Sequence, residues 1–477
     1  MKNTKTHIYS HNTRAMLSSF KTISMILFIS LLLQNCGIIM SLLPKAEKKD
    51  NKFLLLPLAL QGGARGTTNN ATDTGTGTTG GTGTGTTSLP PAPIPVASVA
   101  SGHYNTPQTI NFSTTATGGV IRCTTNGTDP TSATPVWTPT HIWSIAGLDI
   151  KCATFVTGMT PTIQTFTYSY QPLKSGQTSC WDGAGNLISC SGTGQDGETQ
   201  NGVTRSYTDN GDGTVMDNAT GLLWQRCSVG QSGASCVTGS ATTMTWATAT
   251  GTTCTSLTTA GRTWRLPTSV ELETLPNYGT INPAINTGFF PNTVSADYWS
   301  STSNSITSID AWFVIFNVGY LNSNNKTNNN RVRCVSGQMK SQTLSFSDNG
   351  DGTVKDKATG LIWQKCSFGQ NNDGTCSGTA STMQWTLALN PCSGLTLAGK
   401  TWRLPSIKEL QSLVDKNRST SPSIDTTIFP NTVANVYWSS TPDAASCGCA
   451  WVVSFSDSIA YYSNMFNNNF VRCVSGP

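Results

Sequence analysis

Tyr207-Thr-Asp-Asn-Gly-Asp-Gly-Thr-Val215 is written a second time as Phe346-Ser-Asp-Asn-Gly-Asp-Gly-Thr-Val354, and from there two stretches run in parallel to Arg333-Cys-Val-Ser-Gly337 and Arg472-Cys-Val-Ser-Gly476. The landmarks between them keep a nearly constant offset: 139 residues from Trp224 to Trp363 and from Phe290 to Phe429, and 138 from Trp264 to Trp402. Solenoid repeats run to roughly 20–50 residues, so a period this long predicts two tandem domains. Their expected bounds are 204–338 and 343–477.

Each copy opens as strand, turn, strand, turn, strand. Asn210-Gly211 and Asp212-Gly213 suit a first turn that needs positive φ, Ala219-Thr-Gly221 makes a second, and Leu222-Leu-Trp224 is apolar enough for a buried strand. Asp209, Asp212 and Asp217, with Asp348, Asp351 and Asp356, fail the calcium-loop ligand code, because aligning Gly213 with the loop glycine puts Thr208 first and Ala219 last. Turn chemistry accounts for them better. A helix is expected around Met244 to Ala249, and around Met383 to Ala388, ending near Cys254 and Cys392. A second helix starts with a capping box behind a proline, Thr268-x-x-Glu271 and Ser406-x-x-Glu409, with Ile407, Leu410, Leu413 and Val414 on one face. Strands complete each unit: Tyr298-Trp-Ser-Ser, Ala311 to Phe316 and Val332 to Val335. Gly394-Leu-Thr-Leu-Ala-Gly-Lys-Thr401 spells the phosphate-loop pattern. The first copy reads Ser256-Leu-Thr-Thr-Ala-Gly-Arg-Thr263, and Trp-Arg-Leu-Pro follows instead of a helix, so no nucleotide is expected.

A chain of 477 residues suggests about three domains. Only 11% of residues are charged while turn formers abound, which reads as β-rich and exported. Lys2, Lys5, Arg14 and Lys21 carry most of the net +5; without them 25 basic residues face 24 acidic ones, too balanced for a nucleic-acid footprint. Only His103 and His141 lie beyond the leader, both outside the repeats, which removes histidine acid–base or zinc chemistry from them. No cofactor and no metal are expected. Residues 1–35 read as a signal peptide with the apolar run Ile23 to Leu33, and a start at Met16 would give a leader of more usual length. Residues 36–89 follow as anchor and linker, almost pure Gly and Thr from Gly66 to Ser88. Short alternating runs between residues 90 and 171 predict a small all-β domain, and 172–203 a polar connector.

Three resemblances sharpen this. Leu33-Gln-Asn-Cys36 resembles the lipobox of bacterial lipoproteins, which implies lipidation at Cys36 and a stable hold on a membrane through two or more acyl chains. Gly102-His-Tyr104, Val120-Ile-Arg-Cys-Thr-Thr-Asn-Gly-Thr-Asp-Pro130 and Ile150-Lys-Cys-Ala-Thr154 resemble the immunoglobulin-like sandwich at the C-terminus of chitobiase and β-hexosaminidase enzymes, usually a spacer. Met-x-Trp-x-x-Ala, the Cys at the helix end, the glutamate-led second helix, the Tyr-Trp strand and the final Cys-bearing strand resemble the C-type-lectin-like fold. More closely, Asp-Asn-Gly-Asp-Gly-Thr-Val, Gly-Leu-x-Trp-Gln, Trp-Arg-Leu-Pro, Tyr-Trp-Ser-Ser and Val-Arg-Cys-Val make both copies similar to the C-terminal domain of Lcl-type collagen-like bacterial surface adhesins. The fold class implied is α+β, two tandem C-type-lectin-like domains after the sandwich.

Setting Cys36 aside leaves fourteen cysteines, an even number in every segment. Cys123–Cys152 is expected between strands, Cys180–Cys190 across the connector, and Cys227–Cys236 and Cys366–Cys376 around small loops. The lectin-like resemblance implies Cys254–Cys334 and Cys392–Cys473; Cys447–Cys449 is expected as a local bridge. The copies diverge from Asn317 to Thr327 and from Ser456 to Phe466, a region that in lectin-like domains lies on or beside the ligand face. The candidate contact residues are Tyr320, Asn322, Asn324, Asn325, Asn328, Tyr461, Tyr462, Asn464 and Asn467, Tyr with Asn making an adaptable surface; unconstrained loop drift explains the divergence equally well. Neither Glu-Pro-Asn nor Trp-Asn-Asp occurs in the repeats, which disfavours a calcium lectin. The expected function is a lipid-anchored protein of the bacterial envelope, at the outer membrane or cell surface, that binds a host or environmental protein or glycan without catalysis. Formylglycine-generating enzymes share the topology and give an enzymatic alternative; a purely structural envelope role is the other.

Overall fold

The computed structural model describes residues 89–104, 108–138, 142–143, 148–337, 339, 344–445 and 448–476. The expected leader, Cys36 and the Gly/Thr stretch to Ser88 lie outside them, as do His141 and Cys447. The described chain is mostly sheet, with α-helices of only four or five residues: an N-terminal all-β domain precedes two repeated domains.

In the first domain, β1 (Val120–Thr124) pairs antiparallel with β2 (Leu148–Phe155), and β2 with β3 (Gln164–Ser169). Cys123 sits directly opposite Cys152, and a disulfide joins them. Ile110, Ile150, Cys152 and Tyr168 form the small core. This domain docks on the second repeat, although the first follows it in sequence. The Tyr170 N–H donates to the Ala358 carbonyl at 2.9 Å. His103 lies so close to Gly360 that a Cβ there would come within 2.5 Å of the ring, and Gly360 also has φ +76°. Only glycine meets both demands.

Residues 172–203, expected to be a mere connector, form a docked layer. They carry a disulfide-closed hairpin, Cys180–Cys190, and the one-turn helix α1 (Asp196–Thr199). Gln177, Gln195 and Asp196 are buried. A loop needs its polar groups satisfied to be buried, and the Gln195 side chain does this by accepting from the Trp181 N–H and donating to the Trp181 carbonyl.

The first repeat starts with β4 (Tyr207–Asp209), β5 (Thr214–Asp217) and β6 (Leu223–Gln225), an antiparallel meander closed by β10 (Val335–Ser336) from the far end of the unit. Gly211 and Gly213 take φ +74° and +87° at the first turn. The aspartates act as the turn reading requires: Asp209 accepts from the Gly211 N–H, Asp212 from the Thr214 N–H and Asp217 from the Ala219 N–H. After α2 (Trp246–Thr250) and α3 (Ser269–Leu272) come β7 (Asp297–Ser303), β8 (Asp310–Ile315) and β9 (Tyr320–Asn325). The second repeat copies this with β11 (Phe346–Asp348), β12 (Thr353–Asp356), β13 (Ile362–Gln364), α4 (Trp385–Ala388), α5 (Ile407–Gln411), β14 (Val436–Pro442), β15 (Cys449–Ser454), β16 (Ala460–Asn464) and β17 (Val474–Ser475).

Both first helices are shorter than expected and stop before the cysteines. In α2 the run of β-branched threonines and Gly251 erode propensity, and in α4 Pro391 ends what Asn390 begins to unwind. The second helices keep their capping boxes, but Leu413 and Val414 fall in the turn beyond α5. The final expected strand shrinks to β10, although the Val332 and Cys334 carbonyls still accept from the Val229 and Gln225 N–H groups. Disulfides join Cys254 to Cys334 and Cys392 to Cys473, while Cys227–Cys236 and Cys366–Cys376 close short loops. Each repeat has two cores, one on either side of its large sheet, and nine tryptophans are fully buried in them.

The repeats join edge to edge. Strand β9 pairs with β16, giving one eight-stranded sheet that runs through both. The pair is Leu321 with Ala460, residues 139 apart, the same offset that relates the copies. Equivalent residues therefore meet, as across a two-fold axis. Tyr320 packs against the second repeat's core, and its counterpart Ile459 packs against the first's.

Candidate functional site

Two regions gather polar side chains at a surface: the middle of the long sheet, and a cleft between the repeats. In the middle, Phe313 registers with Asn322 and Ala311 with Asn324. Across the seam Val452 registers with Tyr461 and Ala450 with Ser463. Partners opposite one another share a face, so Asn322, Asn324, Tyr461 and Ser463 lie together, half-buried, between the two disulfide-bearing cores.

Tyr320 and Tyr462, expected at the ligand face, pack in the seam instead. Their rings are 5.0 Å apart, Tyr320 stands edge-on 5.2 Å from Trp451, and the Tyr462 N–H donates to the Tyr320 hydroxyl at 3.4 Å. Burial pushes that hydroxyl far above its ordinary range. Asn325 and Asn464 are turn formers: the Asn325 side chain accepts from the Thr327 N–H, and that of Asn464 from the Phe466 N–H. The turns they build project Asn328 in one repeat, Asn467 and Phe466 in the other, all exposed. Because β9 and β16 meet at their starts and run in opposite directions, the two turns lie at opposite ends of the seam. Eight residue steps separate Asn325 from Asn464, roughly 27 Å at strand rise. The candidate contact residues thus divide between the seam and two separated turns.

The cleft, of about 1010 Å³, opens beside α3. Its first wall holds Thr250, Arg265 and Thr302, and its second Asp415, Lys416 and Asn417. Arg265 grips Glu271 through two bonds of 2.7 and 2.5 Å while Glu271 caps its own helix, and Arg403 with Glu409 does the same at 2.8 and 2.6 Å. Such a pair, held by fixed geometry, is a scaffold part. Lys416 pairs with Glu273, and Lys408 donates to the Glu273 carbonyl and lies 5.0 Å over the Tyr278 ring. Burial, aided by Arg205 and Lys416 and opposed by Glu273, pushes the Lys408 ammonium down to about 7. These residues escaped sequence reasoning, although the signal existed: Lys408 stands where the first copy has Val270, and Gln411 where it has Glu273.

The phosphate-loop string forms no phosphate cradle. Leu397–Gly399 makes one 3₁₀ turn, Lys400 is extended, and the next helix starts only at Ile407. In the first domain His103 bonds Ser169 at 2.7 Å.

Two family models match the chain. The Lcl C-terminal domain matches residues 213–336 and 352–475, and the chitobiase/beta-hexosaminidase C-terminal domain matches residues 99–178. No curated protein and no solved structure matches it.

Proposed function

The chain belongs to the Lcl C-terminal domain family, two copies of which follow a chitobiase/beta-hexosaminidase C-terminal-type domain, and from that premise we propose a non-catalytic adhesin of the bacterial envelope. Cys36 carries the lipid anchor, residues up to Ser88 hold the body away from the membrane, and the exposed turns around Asn328 and Asn467 contact a protein or glycan. The repeats have the α+β, C-type-lectin-like fold, a reading supported by the bridges from Cys254 to Cys334 and from Cys392 to Cys473. The observation that carries the function is the pair of turns, built alike and held at a fixed separation by one continuous sheet. Two sites on one rigid body gain avidity for a repetitive surface without any new contact. Against turnover, the two repeat-bound carboxylate–guanidinium pairs are committed to helix caps and all four cysteines of the first repeat are in disulfides. Glycan and matrix-protein arrays probed with residues 89–477 test the proposal: saturable binding that falls when Asn328 and Asn467 are both replaced by Ala is expected, and silence across both arrays would refute it.

A further inference from the structure

The two-fold relation between the repeats makes one comparison available within the chain itself. On the second repeat, the layer 172–203 occupies a berth beside α5. There the Thr441 hydroxyl donates to the Asp196 carboxylate at 2.6 Å, and the Gln177 amide donates to the Pro442 carbonyl at 3.0 Å. Gly194 abuts the Leu389 backbone, and the opposite wall comes from the first repeat, where the Tyr278 N–H donates to the Ser175 carbonyl at 2.9 Å. The wall demands a small residue where the layer passes it, since a Cβ on Gly176 would fall 2.0 Å from the Asn277 side chain, while Gly197 is needed for the layer's own folding, its Cβ falling 2.4 Å from the Ser179 carbonyl.

Carried across the axis, Thr441 becomes Thr302, Leu389 becomes Thr250, and the wall at Asn277 and Tyr278 becomes Asp415, Lys416 and Asn417. All of these line the open cleft. Its floor is built as the berth's is: the Ser269 N–H donates to Thr302 Oγ1 at 3.0 Å as the Ile407 N–H does to Thr441 Oγ1 at 2.9 Å, and both stand beside an Arg–Glu pair. One thing differs. Among the described residues no acceptor meets the Thr302 hydroxyl proton, which in the twin goes to a carboxylate. Among the described residues no second layer supplies one: a short stretch after Gly337 joins the repeats, whereas the whole of 172–203 precedes the first.

We propose that the cleft of the first repeat is a docking groove for a polypeptide segment of another protein, an acidic side chain flanked by glycines, seated as the chain's own layer is seated on the second repeat. The carboxylate takes the Thr302 hydroxyl proton, and the flanking backbone runs between Thr250 and the Asp415–Asn417 wall. A charge-assisted bond in a partly dry groove supplies selectivity for the acid over its amide.

The probe is a labelled synthetic peptide of residues 175–200, oxidised at Cys180–Cys190, titrated into residues 89–477 and followed by fluorescence anisotropy. Saturable one-to-one binding is expected, at least tenfold weaker for the Asp196→Asn peptide and for the Thr302→Val protein. Val270→Arg, which fills the cleft from its wall, gives a second blocking variant should Thr302→Val fold poorly. Absence of saturation, binding indifferent to both variants, or loss with Thr441→Val but not with Thr302→Val would overturn the proposal. So would self-association of the unliganded protein abolished by Thr302→Val, because the occupant would then be a second copy. Loss of the peptide site leaves the turns at Asn328 and Asn467 unaffected, so the two readings fail separately.

Discussion

Single residues in this protein are legible in sequence where they serve turns and obscure where they serve distant partners. The Asn-Gly and Asp-Gly steps, the capping glutamates and the aspartates act locally, and local chemistry can be read along a chain. The arginine of Val-Arg-Cys-Val could not be read that way. Arg333 is wholly buried with no carboxylate partner among the described residues: it donates to the Gln225 carbonyl at 2.8 Å, to the Arg226 carbonyl and to Thr293 at 2.7 Å, with Phe290 5.0 Å beneath its guanidinium. Arg472 repeats the arrangement on Gln364, Lys365, Thr432 and Phe429. Its partners lie 40 to 108 residues away, and only the fold brings them together. His103 belongs to the same class. Burial and the neighbouring Lys355 hold its imidazole below the ordinary 6.5, so as pH falls the unfolded chain takes up a proton before the folded one does. The stability it contributes is whole above pH 6.5 and drains away as pH drops from there through the lowered value. Asp356, pushed up to about 6 by burial, works in the opposite sense, so the comparison needs a variant. The protection factor of the Tyr170 amide, which bonds the second repeat, should fall between pH 7.5 and 5.5, and His103→Asn should remove most of that fall.

At the scale of elements, the strands were readable and the helix lengths were not. Alternating and apolar runs mark β4 to β8 because a strand's face is set two residues at a time, whereas β9, Asn-rich and without such a run, read as a variable contact region. The helices were overdrawn because the Met-x-Trp-x-x-Ala pattern gives one buried turn, and nothing in so short a pattern says whether a second follows. The divergence of β9 and β16 was visible in sequence, but its setting was not: among the described strands of the large sheet these two pair with the other repeat, so each must suit its counterpart as well as its own copy. Tyr320 shows what that means energetically. Its ring meets Trp451 and Tyr462 across the seam, while the backbone pairing there rests on Leu321 and Ala460 alone. Side-chain packing and not the ladder therefore holds the edges together. Tyr320→Ala should cost about 2–4 kcal/mol, the range for truncating a large buried side chain. In calorimetry the two repeats, expected to melt in one transition in the parent chain, should separate into two. A single unshifted transition would mean that the other contacts between the repeats, such as Glu273 with Gln411 and Lys416 and Ser305 with the Lys416 carbonyl, join them without it.

At the scale of the whole molecule, the layer 172–203 and the first domain both sit on the second repeat, with the layer also reaching the first at Tyr278. The copies therefore cannot be treated as beads on a string. Deleting either would expose Leu321 and Tyr320, or Ile459 and Ala460, and lost binding would report a damaged seam as readily as a lost site. Point changes at the tips avoid this, because Asn328, Asn467 and Phe466 are exposed and surface changes usually shift stability by no more than about 0.5 kcal/mol. If both turns grip one repetitive ligand, replacing Asn328 alone, or Asn467 with Phe466, should lower apparent affinity for the immobilised ligand by roughly 10²–10⁴, the usual range of the gain from linked sites. Binding to a monovalent fragment in solution should drop by no more than about half, since the intact tip still binds. Equal losses on surface and in solution would instead make one tip the entire site, and the rigid separation imposed by the shared sheet would then have no part in binding.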